Sequence, residues 1–560
     1  MSLNAPLGYA IPEETVRVAQ AAFPKGTRYM QMRDVFGPIY SNAAFAHLFP
    51  RDGQPAEDPA RLALILIMQF ADGLSDAQAA DAVRGRIDWK YALALEITDP
   101  GFDASVLSEF RKRLIAGSAE ELLFTTMLDL LREQGLIKAR GKQRTDSTHV
   151  LAAIRVINRL MCVGETLRQA LNDLATVAPD FLLAHVTPDW FDRYSQRLEE
   201  FRLPSAKDER KALANQIGAD GLTLLEAIYA PSAPAAVRDL PAVITLRQIW
   251  LQQYYAAERP EAVRWRDDDD LPPGAQLIVS PYDIEARWSE KRNLTWVGYK
   301  THITETCDDE GPALITNVET TPATQPDALA LAAIHAALKD HKLLPAEHLL
   351  DAGYVDGTRL LESRPLSVTL LGPVPRDGSW QAREEGAFDT TCFAIDWEQQ
   401  QVRCPQGHLS REWKAARDRH GKAIIHVAFA QATCRDCPVR AQCTRSKTTG
   451  RELTLRHREH HEAVQEARHR QEESDFKRAY ARRSGVEGVL SQGVRVCDLR
   501  RSRYIGMAKT RLQNLIIATA INLIRAVAWL VEVPRAGTRR SAFAALGAGQ
   551  GRQSGWSGAG

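Results

Sequence analysis

Neither sign of charge is in excess. Seventy-one Lys and Arg stand against seventy Asp and Glu, a net of +1, which excludes a uniformly basic coat that binds nucleic acid indiscriminately. A secretory leader is also missing, because "MSLNAPLGYAIPEETV" has no basic flank followed by an apolar run, so a cytoplasmic location without export is expected. The most apolar late stretch, Leu515 to Val531, carries Asn522 and Arg525. That argues for a buried amphipathic helix and against a membrane span. Eight cysteines without a leader do not read as a disulfide framework. There is no P-loop, and "HHEAVQ" fails the zincin pattern because Gln465 stands where its second histidine belongs.

The ordinary hydrophobic and charged fractions, 44% and 25%, are those of a globular protein. At 560 residues the chain exceeds one core, and about three or four structural units are expected. After an N-terminal segment, 1–40, the stretch 41–135 has helical periodicity. In "PARLALILIMQFADGLSDAQAADAV", Gly73, Ser75 and Asp76 can end one helix and cap the next, which resembles helix-turn-helix punctuation. Arg111, Lys112 and Arg113 end a later helix, where they either meet phosphates or complement the helix dipole.

Beyond Gly135 the texture becomes mixed α/β. "TWVGYKTHITETCDDEG" and "ALITNVETTP" predict a hairpin, "DALALAAIHAAL" a helix, and "EHLLDAGY" and "SVTLLGPV" short strands. This layer, 136–153 with 271–375 and 456–532, is interrupted twice. Residues 154–270 read as a helical insertion ending in Asp267 to Asp270, taken as a solvated linker. Residues 376–455 hold the cysteines. The Gly/Ala/Ser-rich tail, 533–560, is expected to be disordered.

Four cysteines group in the second insertion: Cys404 in "RCPQGH", and Cys434, Cys437 and Cys443 in "CRDCPVRAQC". One Cys-x2-Cys knuckle with two further thiols can complete a tetrahedral structural zinc site, with His408 as a substitute ligand; the bland alternative is a set of buried reduced thiols. Charge is segregated too. Between Phe476 and Arg511 stand ten Lys or Arg and two acids, Glu487 and Asp498. Such a stretch suits a polyanion, or else forms a solvated helix face.

Asp146 in "RTDSTHV" reads as a carboxylate where a strand ends, with Ser147 and Thr148 able to cap or orient it, and Asp351 in "HLLDAGY" as one that terminates an apolar strand, with Gly353 letting the chain turn sharply away. Singly each is most simply a turn or cap residue. Joined by Glu487, they would gather enough negative charge for two hard divalent cations, which activate the attacking oxygen and stabilise the leaving oxygen of a phosphodiester displacement.

"TDSTHV", "LLDAGY" and "YARRSGVEGVLSQGVR…LRRSRYIGMAKTRLQN" resemble the three catalytic boxes of DDE insertion-sequence transposases. They look most like the branch with a Tyr-x2-Arg-x3-Glu-x6-Lys signature, the group named after insertion sequence eleven-eighty-two. The resemblance implies a ribonuclease-H-like core with Asp146, Asp351 and Glu487 as ligands of two Mg2+ or Mn2+ ions, and a DNA-binding role for the helices of 41–135. Tyr480 and Arg483 match the signature and would contact DNA near the cleaved phosphate, with Arg495, Arg500, Arg501, Arg503 and Lys509 as further DNA contacts. The signature lysine falls on Val494, with Arg495 next to it. The implied partners are double-stranded DNA, both element ends and target, and further copies of the chain; no membrane is implied. The competing readings are a non-enzymatic DNA-binding regulator and a nuclease that cuts without joining.

Overall fold

A computed structural model of the chain describes residues 2–3, 8–375, 377–418 and 421–534, so nearly all of the expected tail lies outside the described residues. Its organising element is a six-stranded mixed sheet. β1 (Lys142–Leu151) is central. One edge of it pairs antiparallel with β3 (Leu294–Thr306), and the other pairs in parallel with β5 (Glu347–Leu349), which in turn pairs with β6 (Thr369–Leu371). β2 (Arg287–Lys291) and then β4 (Ile315–Pro322) share the far side of β3, and β3 with β4 makes the hairpin expected from their sequences.

Asp146 lies in the middle of β1 and not at a strand end. The strand continues through the polar "TDSTH" because β3 pairs with every residue from Gln143 to Leu151, which satisfies the backbone whatever the side chains.

The Met507–Leu530 helix is long and apolar enough to cross a membrane, yet 78% of its most apolar window is buried within the protein. Its polar residues serve the sheet. Asn522 accepts from the Ile315 N–H at 2.7 Å and donates to the Ile315 carbonyl at 2.8 Å, so a buried amide is fully used. On this helix pack β4, the Pro59–Ala71 helix and the Leu122–Glu133 helix. The N-terminal helices and the sheet therefore share one hydrophobic core.

Every residue of Pro59–Ala71 except Arg61 is buried, as an all-round apolar helix requires. The next helix, Asp76–Gly85, starts as its sequence suggests: Gly73 has φ +68°, and Ser75 and Gln78 form a reciprocal capping box.

Two further cores stand apart from this one. Residues between 160 and 278 build a helical core around the helices Arg159–Val177, Lys207–Tyr229 and Pro241–Gln253. The acid run there is exposed, and it is also tethered. Asp268 to Asp270 form a short 3-10 turn in which Asp268 meets Arg159 at 2.9 Å, Asp267 meets Lys211 at 3.4 Å and Asp270 accepts from the Tyr255 hydroxyl. The two cations relieve part of the mutual repulsion within the run. The third core, from Phe393 to Leu455, lies within a hairpin of β7 (Ala394–Asp396) and β8 (Gln401–Arg403) and a sheet of β9 (Glu412–Arg417), β10 (Ala423–Ala428) and β11 (Glu452–Leu455).

Candidate active site

The parallel register of β1 and β5 aligns Arg144 with Leu349. Two residues further along lie Asp146, still on β1, and Asp351, two residues past the end of β5, so the two carboxylates come close together. One atom reports their closeness: Arg483 Nη2 is 2.6 Å from Asp146 Oδ2 and 4.0 Å from Asp351 Oδ2. Arg483 comes from the 3-10 segment Ala481–Gly485, which leads into the Val486–Cys497 helix.

That helix turns Val486, Val489, Leu490, Gly493 and Cys497 into the core and leaves Glu487 in its exposed first turn. Among the described residues Glu487 has no hydrogen-bond or ion-pair partner. Its charge is nevertheless felt at Asp146, whose carboxyl is pushed up to about 6. Burial is the main cause, with Asp351 and Glu487 adding to it, while Arg483 and the Ser147 N–H, 2.8 Å away, oppose it.

Asp351 is oriented by the Gly353 N–H at 2.9 Å. The chain does turn at Gly353, with the Tyr354 N–H donating to the Asp351 carbonyl at 3.2 Å, but without a left-handed φ, so the turn itself does not require glycine. A Cβ there would stand 3.1 Å from Asp351 Oδ1, and glycine keeps that carboxylate unobstructed.

Asp327, a fourth carboxylate that its sequence marked only as a helix start, borders the site. Ser147 Oγ donates to it at 3.1 Å and Lys300 Nζ at 3.0 Å. Burial works against its charge, but Lys300, with His302 and Lys291 adding to it, outweighs burial and holds its pKa below the ordinary carboxylate value. Asp327 is thus already paired with a cation, whereas Asp146 and Asp351 share the Arg483 guanidinium and Glu487 takes no part in it.

All-oxygen donors around a seated cation suit a hard divalent ion. Among the described residues, however, no three His, Cys, Asp or Glu side chains already stand at metal-ligand spacing.

Tyr480 stacks on Phe476, ring centroids 5.6 Å apart and planes 10° from parallel. Burial raises its hydroxyl pKa, and the charges of Asp351 and Asp146 also reach it. It therefore flanks the carboxylates. Arg500 donates to Thr148 on β1 at 2.9 Å. Arg495, Arg501 and Lys509 are exposed, while Val494, at the signature lysine position, packs against the core.

Arg503 corrects the expectation of a phosphate contact. It donates to the Leu74 carbonyl at 2.5 Å and lies over Phe70, 4.4 Å from the ring centre, because the N-terminal helices cover it. Arg111 and Arg113 are similarly occupied. Arg111 pairs with Asp76 at 2.5 Å and stacks on Tyr504, and Arg113 lies over Phe49. Arg113 is also the basic residue of its helix's last turn, as the dipole reading has it, and Lys112 pairs with Glu109 at 2.6 Å on the surface.

The four cysteines line one small cavity of about 30 Å³ together with His408. Cys434 Sγ accepts from the Arg451 N–H at 3.4 Å. The Cys443 thiol is pushed up to about 11 by burial, with the other three sulfurs adding to it. The thiols therefore lie near one another, but among the described residues no three of them stand at metal-ligand spacing.

Residues 403–527 match the family model described as "Transposase DDE domain", and residues 17–113 match that described as "Transposase domain (DUF772)". The first match spans the cysteine group and Glu487; Asp146 and Asp351 lie before it. No curated protein matches the chain. Both family matches are to transposase domains, and together they support a transposase function for the chain.

Proposed function

We propose that the chain is a DDE transposase of the Tyr-Arg-Glu-Lys type. In this reading it binds the terminal inverted repeats of its own element, cuts the DNA there and joins the freed 3′-hydroxyls to target DNA. The observation that carries the reading is the approach of Arg483 to Asp146 and Asp351 while Glu487 stays unpaired beside them. A DDE domain implies a ribonuclease-H-like core, and the sheet, antiparallel on one side of β1 and parallel on the other, supports it.

Asp146, Asp351 and Glu487 would hold two Mg2+ or Mn2+ ions, which supply an activated oxygen nucleophile and a stabilised leaving oxygen for in-line displacement at phosphorus. The chain's own residues do the rest. Arg483 leaves the carboxylates for the phosphate, to which its planar fork is matched. The Tyr480–Phe476 stack walls one side of the site, and exposed Arg495, Arg501 and Lys509 attract the backbone of the duplex. Cys404, Cys434, Cys437 and Cys443 are read as a structural zinc site.

Asp351→Ala is expected to abolish Mg2+-dependent cleavage of end-containing DNA and to spare binding; undiminished cleavage would defeat the assignment. A strand-transfer assay with a plasmid target separates joining from cutting alone, and binding without either leaves the regulator. Metal analysis after Cys434→Ser with Cys437→Ser tests the zinc reading, which unchanged zinc content removes.

A further inference from the structure

Glu305 has no place in the chemistry above, yet it is fully buried on β3 and faces Arg144 directly across the β1–β3 ladder. Its Oε1 accepts from Arg144 Nε at 2.8 Å and pairs with Nη2 at 2.7 Å, and its Oε2 pairs with Arg525 Nη1 at 2.8 Å. Each arginine reaches past the carboxylate. Arg144 Nη1 donates to the Arg482 carbonyl at 2.6 Å, and Arg525 Nε donates to the Gln492 side-chain oxygen at 2.9 Å.

Arg482 and Gln492 are placed symmetrically about Glu487 in the sequence. The two arginines therefore grip the Glu487 segment on both sides of that residue. Arg144 precedes Asp146 by two positions on one strand, so both side chains face the same way. The fit is close: a Cβ at Gly485 would come within 2.0 Å of Arg144 Nη1. A glycine in this segment thus makes room for a guanidinium.

We infer that Glu305 anchors a two-arginine clamp, through Arg144 and Arg525, whose work is to position Arg483 and Glu487 against Asp146. The inference rests on the reading of those carboxylates as the reacting site, and Arg144, Arg525 and Glu305 are positioning residues within it. A lysine at 144 keeps a positive charge opposite Glu305, but one ammonium cannot reproduce the arginine fork that holds the carboxylate and the Arg482 carbonyl together.

The test uses the full chain carrying Arg144→Lys and reads three quantities: thermal midpoint, tryptic nicking after Arg482 and Arg483 by mass spectrometry, and cleavage of end-containing DNA with Mn2+. The midpoint is expected to stay near that of the unaltered chain. Nicking, which follows the population of locally opened protein, should rise about tenfold, and cleavage should fall by about as much through misplacement of the reacting groups. If Arg144 only neutralises Glu305, Arg144→Lys matches the unaltered chain in all three, and the clamp is overturned.

Gln492→Ala leaves both Glu305 pairs whole and is expected to speed nicking after Arg495; no change there also counts against the clamp. Gly485→Ala should slow cleavage in the unaltered chain and cost much less beside Arg144→Ala, since the clash is then gone; strictly additive effects are the contrary result. Nicking needs no DNA chemistry. A chain that cuts no DNA therefore defeats the proposed function while the nicking comparison still decides the clamp.

Discussion

Arg483 donates to Asp146 at 2.6 Å and passes over Glu487, the acid that follows it four residues along the chain. An Arg before a Glu is the weaker helical order, and an exposed pair contributes only about 0.3–0.5 kcal/mol. Asp146 offers more, because its carboxylate is buried and a neighbouring cation offsets part of its desolvation. The consequence is an acidic site with one resident cation and one carboxylate left over.

That arrangement fixes a pH dependence. The Asp146 pKa is raised from 3.8 to about 6, so between these values the folded chain holds a proton that the unfolded chain has lost. Folded-state proton binding is then the greater, and stability falls as pH rises through this window. The loss is roughly 2–3 kcal/mol for a shift of this size. Asp146→Asn, which mimics the protonated form, should remove the slope and melt higher than the unaltered chain at pH 7 in EDTA. Parallel melting curves for the two proteins from pH 4.5 to 7 would contradict this.

In the proposed reaction only the charged carboxylate holds a metal, so at limiting metal the rate should fall on the acid side as Asp146, whose metal-free pKa is about 6, takes up a proton. Arg483 is the main group opposing the shift, and Arg483→Gln should move that acid limb upward by about one unit, the scale of a single nearby charge. A limb that stays in place while the maximal rate falls would assign Arg483 to the phosphate alone.

The β3–β4 hairpin and the short strands β5 and β6 were legible because they are runs of strand-forming residues bounded by turn residues, and the closeness of Asp146 to Asp351 follows once β1 and β5 are adjacent. Glu487 was legible only by resemblance, since no local pattern separates it from a surface glutamate. What stayed hidden was set by distant partners. Asp146 reads as a strand end because "TDSTH" is polar, but β3 carries the strand through it. Arg503 reads as a free cation because the Phe70 and Leu74 that cover it are far away in sequence. Glu305 reads as an ordinary strand residue, and only the fold brings Arg525 to it.

Gly353 provides a test that touches no charge. An added methyl would press on Asp351 Oδ1 from 3.1 Å, so Gly353→Ala should displace the carboxylate by a few tenths of an ångström. Cleavage is expected to drop about tenfold or more, as small misplacements at a reacting centre do, with DNA binding unchanged. Equal cleavage by Gly353→Ala would mean that Asp351 tolerates displacement, which a metal ligand held to tight geometry does not.

The arginines between 495 and 503 divide by what covers them. A cation that neutralises one phosphate on binding contributes about 0.9 to the slope of log affinity against log salt. Arg495 and Arg501 are exposed, and alanine at either should flatten that slope by about one. Arg503 is spent on the Leu74 carbonyl and the Phe70 ring. Its loss should leave the slope intact and lower the melting temperature instead, because a partly buried carbonyl loses its donor and the Phe70 ring its cover, at a cost of roughly 1 kcal/mol. Salt titrations of end-DNA binding beside melting curves decide between these outcomes. A flattened slope for Arg503→Ala would mean that the N-terminal helices swing away from Arg503 when DNA binds.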